Sequence, residues 1–141
     1  MAMDKRYEEL DHTADLRLRV FGATRKELFA NAAFALFDRM LDLSGVGRQV
    51  VQEVGAAGAD AEETLVNFLD ELLYRYDTEG FIPRECEITR VADADVHAVC
   101  RGDIFDAARH EARAHIKAVT FHDVAITRAG DGLQVTLTCD V

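Results

Sequence analysis

Leu16, Leu18 and Val20 alternate with Arg17, Arg19 and Phe21 before Gly22, the period-two pattern of a half-buried strand closed by a turn residue. The same parity puts Asp15 on the polar face with Arg17 and Arg19. Thr24 followed by Glu27 reads as a capping box. Beyond it Leu28, Phe29, Ala32, Ala33, Leu36, Phe37 and Met40 recur at helical spacing, which predicts an amphipathic helix. Val50 to Val54 predicts a short strand that ends where Gly55, Gly58 and Asp60 break the chain. Asp60 and Glu63 then repeat the capping signal, and Leu65, Phe68, Leu69, Leu72, Leu73 and Tyr76 mark a second amphipathic helix ending before Gly80.

The remainder reads as β structure. Phe81 to Val91 and Val96 to Arg101 form a predicted hairpin around Asp93-Ala94-Asp95, and His122 to Thr127 and Leu133 to Cys139 flank the turn Ala129-Gly130-Asp131-Gly132. Asp103 to Ala114 between them is polar and irregular, a predicted long loop. In the last strand Leu133, Val135, Leu137 and Cys139 share one face, which leaves Asp140 on the other with Thr136 and Thr138. Strands and two helices without strict β-α-β alternation predict an α+β fold in two layers, both helices on one face of a largely antiparallel sheet. With 141 residues, no repeat and no linker, residues 1–141 read as a single domain.

Composition narrows the function. Apolar residues make up 49% and charged residues 30% of the chain, as in a folded globular protein. A net charge of -10 repels a phosphate backbone, which argues against tight direct binding of nucleic acid and favours a bound cation or a partner with a basic surface. The longest apolar run, Ala32 to Phe37, is far too short to span a bilayer, and the N-terminus lacks the apolar segment of a secretion signal. Cys86, Cys100 and Cys139 are odd in number, widely spaced and without a Cys-x-x-Cys pair, so they read as reduced, mostly buried thiols of a cytoplasmic protein.

Candidate chemistry lies at the two ends of the domain, in Asp11-His12-Thr13-Ala14-Asp15 and Cys139-Asp140-Val141. If the strands carrying these ends pair, Asp15, Asp140 and the Val141 α-carboxylate meet, with Asp11 and His12 nearby. Three anionic oxygen groups without a sulfur ligand suit a hard cation such as calcium or magnesium better than zinc. On parity alone, these carboxylates read first as ordinary solvated surface. His115 to His122 places Lys117 between two imidazoles, as a solvated strand or, beside the terminal aspartates, as a cation facing a carboxylate or a phosphate. Asp106 and His110 read as a satisfied loop turn that could also reach a site. The chain has no Gly-x-Ser-x-Gly elbow, His-Glu-x-x-His helix or glycine-rich phosphate loop, so its motifs do not mark an enzyme.

Taken in order, these segments resemble the archease family, the small proteins that assist the RtcB-type RNA ligase in tRNA splicing and RNA repair. Tyr7 to Asp15 is similar to the family's opening, Leu16 to Met40 to its first strand and helix, and Leu69-Asp70-Glu71-Leu72-Leu73-Tyr74 to its second helix. Lys117-Ala118-Val119-Thr120-Phe121-His122 and Asp140-Val141 complete the series. The resemblance implies a two-layer archease-like fold and a divalent metal ion held by Asp15, Asp140 and Val141, with calcium first and manganese or magnesium as alternatives. It also implies that Lys117, with His12, acts in partner activation. The implied role is that of a protein cofactor, not a catalyst, which promotes guanylylation of the ligase and its repeated turnover. Phe121 stands where many members carry a tyrosine.

Two other readings compete with the cofactor. A small metal-dependent hydrolase would use Asp15, His12 and Asp140 with His122 as acid or base, and would turn over a phosphoester alone. A pure interaction module would bind its partner yet tolerate loss of the acidic cluster.

Overall fold

A computed structural model describes residues 5–10 and 15–141. In chain order the elements are β1 (Tyr7–Leu10), β2 (Leu16–Gly22), α1 (Arg25–Met40), β3 (Val50–Ala57), α2 (Ala61–Glu79), β4 (Phe81–Val91), β5 (Asp95–Ile104), β6 (Ala118–Val119), β7 (Thr127–Ala129) and β8 (Gly132–Asp140). The fold is α+β, and every described strand pairing is antiparallel. The strands divide between a larger sheet of order β1-β2-β8-β6, with β7 also on β8, and a smaller sheet β3-β5-β4.

Both helices begin as their caps dictate. Thr24 accepts from the Glu27 N–H at 3.2 Å while the Glu27 carboxylate reaches back to the Ala23 N–H at 2.9 Å. Asp60 and Glu63 repeat the arrangement, with Glu63 accepting from Ala59. Capping of this kind satisfies donors that the first helical turn leaves open. α2 stops at Gly80, whose φ of 75° is the left-handed cap that glycine adopts without a Cβ penalty. α1 packs against β2 of the larger sheet and β4 of the smaller, while α2 lies on β3, β4 and β5 and touches β6. Because α1 faces both sheets, its buried set is wider than one stripe: Leu28, Phe29, Ala32, Ala33, Ala35, Leu36, Phe37 and Met40. Leu16, Leu18 and Val20 from β2 and Val135, Leu137 and Cys139 from β8 close the core from the other side.

Four local expectations change. The strand at Val50 does not stop at Gly55 but runs to Ala57, because Gly55 pairs with His97 of β5 and the ladder continues through it. His122 to Thr127 is not a strand: Asp123 turns the chain with φ 53°, and β structure is confined to Ala118–Val119 and Thr127–Ala129. Asp103 and Ile104 belong to β5 and not to the loop. Tyr7–Leu10, which shows no alternation, is the edge strand β1, recruited by pairing with β2. No helix among the described residues is long and apolar enough to cross a membrane.

Candidate functional site at the paired ends of the larger sheet

The register of β2 and β8 decides what stands at the sheet's end. Leu16 pairs with Cys139, Arg17 with Thr138 and Arg19 with Thr136. The register ends at Leu16 and Cys139, the chain neighbours of Asp15 and Asp140. On the other side of β8, Ala118 pairs with Asp140, and the Lys117 N–H donates to the Asp140 carbonyl oxygen at 2.8 Å. β8 therefore ends between the segments carrying Asp15 and Lys117. Asp15, Lys117, Asp140 and Val141 are all exposed.

Asp15, Arg17, His122, Asp123, Thr136 and Thr138 line an open cleft of about 340 Å³ on the polar face of this sheet. His122 and Asp123 enter it through the turn that replaces the expected strand, their side chains 3.0 Å apart. Phe121 beside them is 57% exposed, a large apolar group left uncovered next to the acidic end. The neighbouring imidazole does not join them, since His115 Nε2 lies 3.1 Å from Asp77 of α2.

The donor set fits a hard divalent cation in kind. Asp15 and Asp140 supply carboxylate oxygens on adjacent chain segments. Among the described residues no three His, Cys, Asp or Glu side chains gather to hold a metal. His12 and Asp11 lie outside the described residues.

Asp106 and His110 serve a different centre. Asp103, 2% exposed at the end of β5, accepts from the Gly47 N–H at 3.1 Å, Gln49 at 2.8 Å and the Ile104 N–H at 2.8 Å. It also faces Arg109 at 3.2 Å and His110 Nε2 at 3.3 Å. His110 Nδ1 accepts from the Asp106 N–H, which leaves its Nε2 to donate to Asp103. The Gly47 amide first, then the Arg109 guanidinium, hold the Asp103 carboxyl far below its ordinary range. This network ties the long loop to the smaller sheet and leaves both its loop members occupied.

One residue near the candidate site escaped the sequence reading. Asp70, half-buried on α2, accepts from the Val119 N–H at 2.8 Å and so fixes β6 to the helix. Burial raises its pKa, partly offset by that hydrogen bond, and burial followed by the Asp70 charge pushes the Cys139 thiol up to about 12. The signal was a carboxylate set among the apolar positions Leu69, Leu72 and Leu73 of a helix.

Fold and site together define a small α+β protein with an exposed, oxygen-rich sheet end and no membrane-spanning helix among the described residues. Residues 7–141 match the Archease protein family (MTH1598/TM1083), and the chain belongs to that family. It is 36% identical to a protein archease of Pyrococcus abyssi over 132 residues, covering 91% of this chain and 92% of that one. It is 32% identical to a protein archease of Methanosarcina barkeri over 141 residues, 97% of each. The solution structure of protein 1598 of Methanobacterium thermoautotrophicum superposes with a TM-score of 0.80 at 28% identity, covering 96% of this chain and 99% of that one. A Thermotoga maritima protein described as an archease, possible chaperone, shares the fold at 21% identity, with a TM-score of 0.65 over 100% of this chain and 99% of its own.

Proposed function

We propose that this chain is a metal-binding protein cofactor that activates an RtcB-type RNA ligase of tRNA splicing and RNA repair, by promoting ligase guanylylation and multiple turnover. The observation that supports this reading best is the register bringing Asp15, Asp140 and the backbone of Lys117 to one exposed sheet end in a chain of the archease family. A divalent cation bound there would supply a positive centre with positions free for water or phosphate oxygens. Asp15, Asp140 and the Val141 carboxylate would hold it, calcium first and manganese or magnesium as alternatives. Lys117, whose backbone adjoins Asp140, would supply an ammonium group suited to a phosphate or an acidic group on the partner. With a net charge of -10, the chain is attracted to a basic RNA-binding enzyme and does not compete for its RNA. On this reading its work would lie in the cytoplasm, at the ligase itself.

The test is a titration of the full chain, in less than stoichiometric amount, into a cognate RtcB-type ligase with nucleoside triphosphate and metal. Guanylylated ligase should rise, and ligation should pass from single to multiple turnover. Unchanged guanylylation and turnover overturn the proposal, and hydrolysis of a phosphoester by the chain alone would replace it with a hydrolase.

A further inference from the structure

The smaller sheet carries a second chemical feature, unrelated to the carboxylates. Cys86 of β4 and Cys100 of β5 stand directly opposite each other in the ladder, with their sulfur atoms 2.7 Å apart and both thiols free. Opposed residues of an antiparallel pair have Cα atoms about 4.5–5.5 Å apart, within the roughly 4.4–6.8 Å that a disulfide spans, so a bond here asks little of the backbone. Cys139 has no such neighbour, since its register partners are Leu16 and Val119.

Access is one-sided. Cys100 is fully buried, whereas Cys86 is half-buried and lines a cleft of about 240 Å³ between α1 and β4. Among the described residues, the same cleft is lined by Arg6, Arg48 and Arg84, with Glu85 as its one carboxylate. Arg48 pairs with Glu85 at 3.0 Å, and Arg6 lies 4.2 Å over the Phe34 ring. Three guanidinium groups against one carboxylate make this cleft positive on a chain whose net charge is -10.

We propose that Cys86 and Cys100 are a reversible dithiol–disulfide pair, oxidised by a small anionic disulfide that docks in the arginine-lined cleft and enters at Cys86. The Cys86 thiolate attacks one sulfur of the docked disulfide and displaces a small thiolate, which takes up a proton. Cys100 then loses its proton and attacks the Cys86 sulfur of the mixed disulfide, expelling the second small thiol. The protein pair has given up two electrons and two protons, and the external disulfide has become two thiols. Cys100 cannot begin the reaction because it has no open face. The hydrogen bond to Cys100 and burial hold the Cys86 thiol well above its ordinary pKa, so the docking supplied by the arginines has to offset a small thiolate fraction. The product pins the β4–β5 hairpin near its middle, which raises thermal stability.

The test uses the full chain and oxidised glutathione, read by intact mass and peptide mapping. The parent should lose two hydrogens and yield one cross-linked peptide pair, Cys86 with Cys100, and its Tm should rise by several degrees and fall back on reduction. Cys100→Ser should accumulate a single glutathionyl group on Cys86, and Cys86→Ser should accumulate none. At low salt, anionic oxidised glutathione should react about tenfold faster than cationic cystamine, with neutral hydroxyethyl disulfide between them, and Arg84→Gln should narrow the range. Far-ultraviolet circular dichroism confirms that each variant is folded, and Cys100→Ala replaces Cys100→Ser if the hydroxyl is not tolerated. A parent that stays reduced, that stops at a stable mixed disulfide, or that is modified first at Cys139 overturns the pair. Equal rates for the three disulfides overturn the docking.

Discussion

The Lys117 N–H donates to the Asp140 carbonyl oxygen at 2.8 Å, so the residue before β6 and the last residue of β8 are held together through their backbones and not by attraction between their charges. Among the described residues neither the Lys117 ammonium nor the Asp140 carboxylate enters an ion pair. Asp15 reaches the same end from the other neighbour of β8, through the Leu16–Cys139 pair.

If the terminal carboxylate is a ligand, chain length is part of the site. One glycine added after Val141 moves that charge by about 3.5 Å of chain and leaves a neutral carbonyl in its place. Calcium and manganese affinity, measured by isothermal titration, and ligase activation should then fall together, while an N-terminal tag leaves both unchanged. Equal affinities for the two tagged forms would exclude the terminal carboxylate as a ligand.

Asp15→Ala and Lys117→Ala should each abolish ligase activation with little effect on the fold. Both side chains are exposed, and surface substitutions usually change stability by less than about 0.5 kcal/mol. Urea unfolding and circular dichroism separate the two effects. Full activation by either variant removes that residue from the site.

Asp70 should act by position. Asp70→Ala leaves the Val119 N–H without its acceptor, at a cost of about 1 kcal/mol, and frees the short strand adjoining Lys117, so activation should weaken. Asp70→Asn keeps an oxygen there and removes a charge that burial disfavours, and it should restore both stability and activation. An Asp70→Asn variant as impaired as Asp70→Ala would instead assign the charge itself a role.

Asp103 should govern stability in acid. Its folded pKa lies below the unfolded value of about 3.9, so the unfolded chain binds more protons as pH falls. The stabilisation is fully present above about pH 4 and is lost as pH drops toward the folded pKa. Asp103→Ala strips the Gly47 and Gln49 donors and the buried His110 of their acceptor and should lower stability by about 2–4 kcal/mol at pH 7. Urea midpoints recorded from pH 7 to 2.5 should decline less steeply for the variant; parallel curves would show that this carboxylate is not the acid-sensitive group.

Much was legible along the chain because it rests on local rules. Both capping boxes, the apolar stripes of α1 and α2, and the alternation of Leu16 to Val20 and of Leu133 to Cys139 fixed two helices, two core strands and the outward parity of Asp15 and Asp140. A cap or a periodic face is set by residues three or four positions apart, and the sequence displays those directly. Tertiary structure alone decided which strands adjoin: that β8 runs between β2 and β6, that an uncharacteristic Tyr7–Leu10 becomes an edge strand, and that the expected strand at His122 gives way to a turn opening the cleft beside Asp15. It also decided that Asp106 and His110 belong to Asp103, that Asp70 holds Val119, and that Cys86 faces Cys100. The Cys86–Cys100 and Asp70–Val119 contacts join residues 14 and 49 positions apart, where the pairing register and the packing of helix on sheet choose the partner. No local pattern carries that choice, because a ladder shifted by one residue keeps the same sequence and reverses every face.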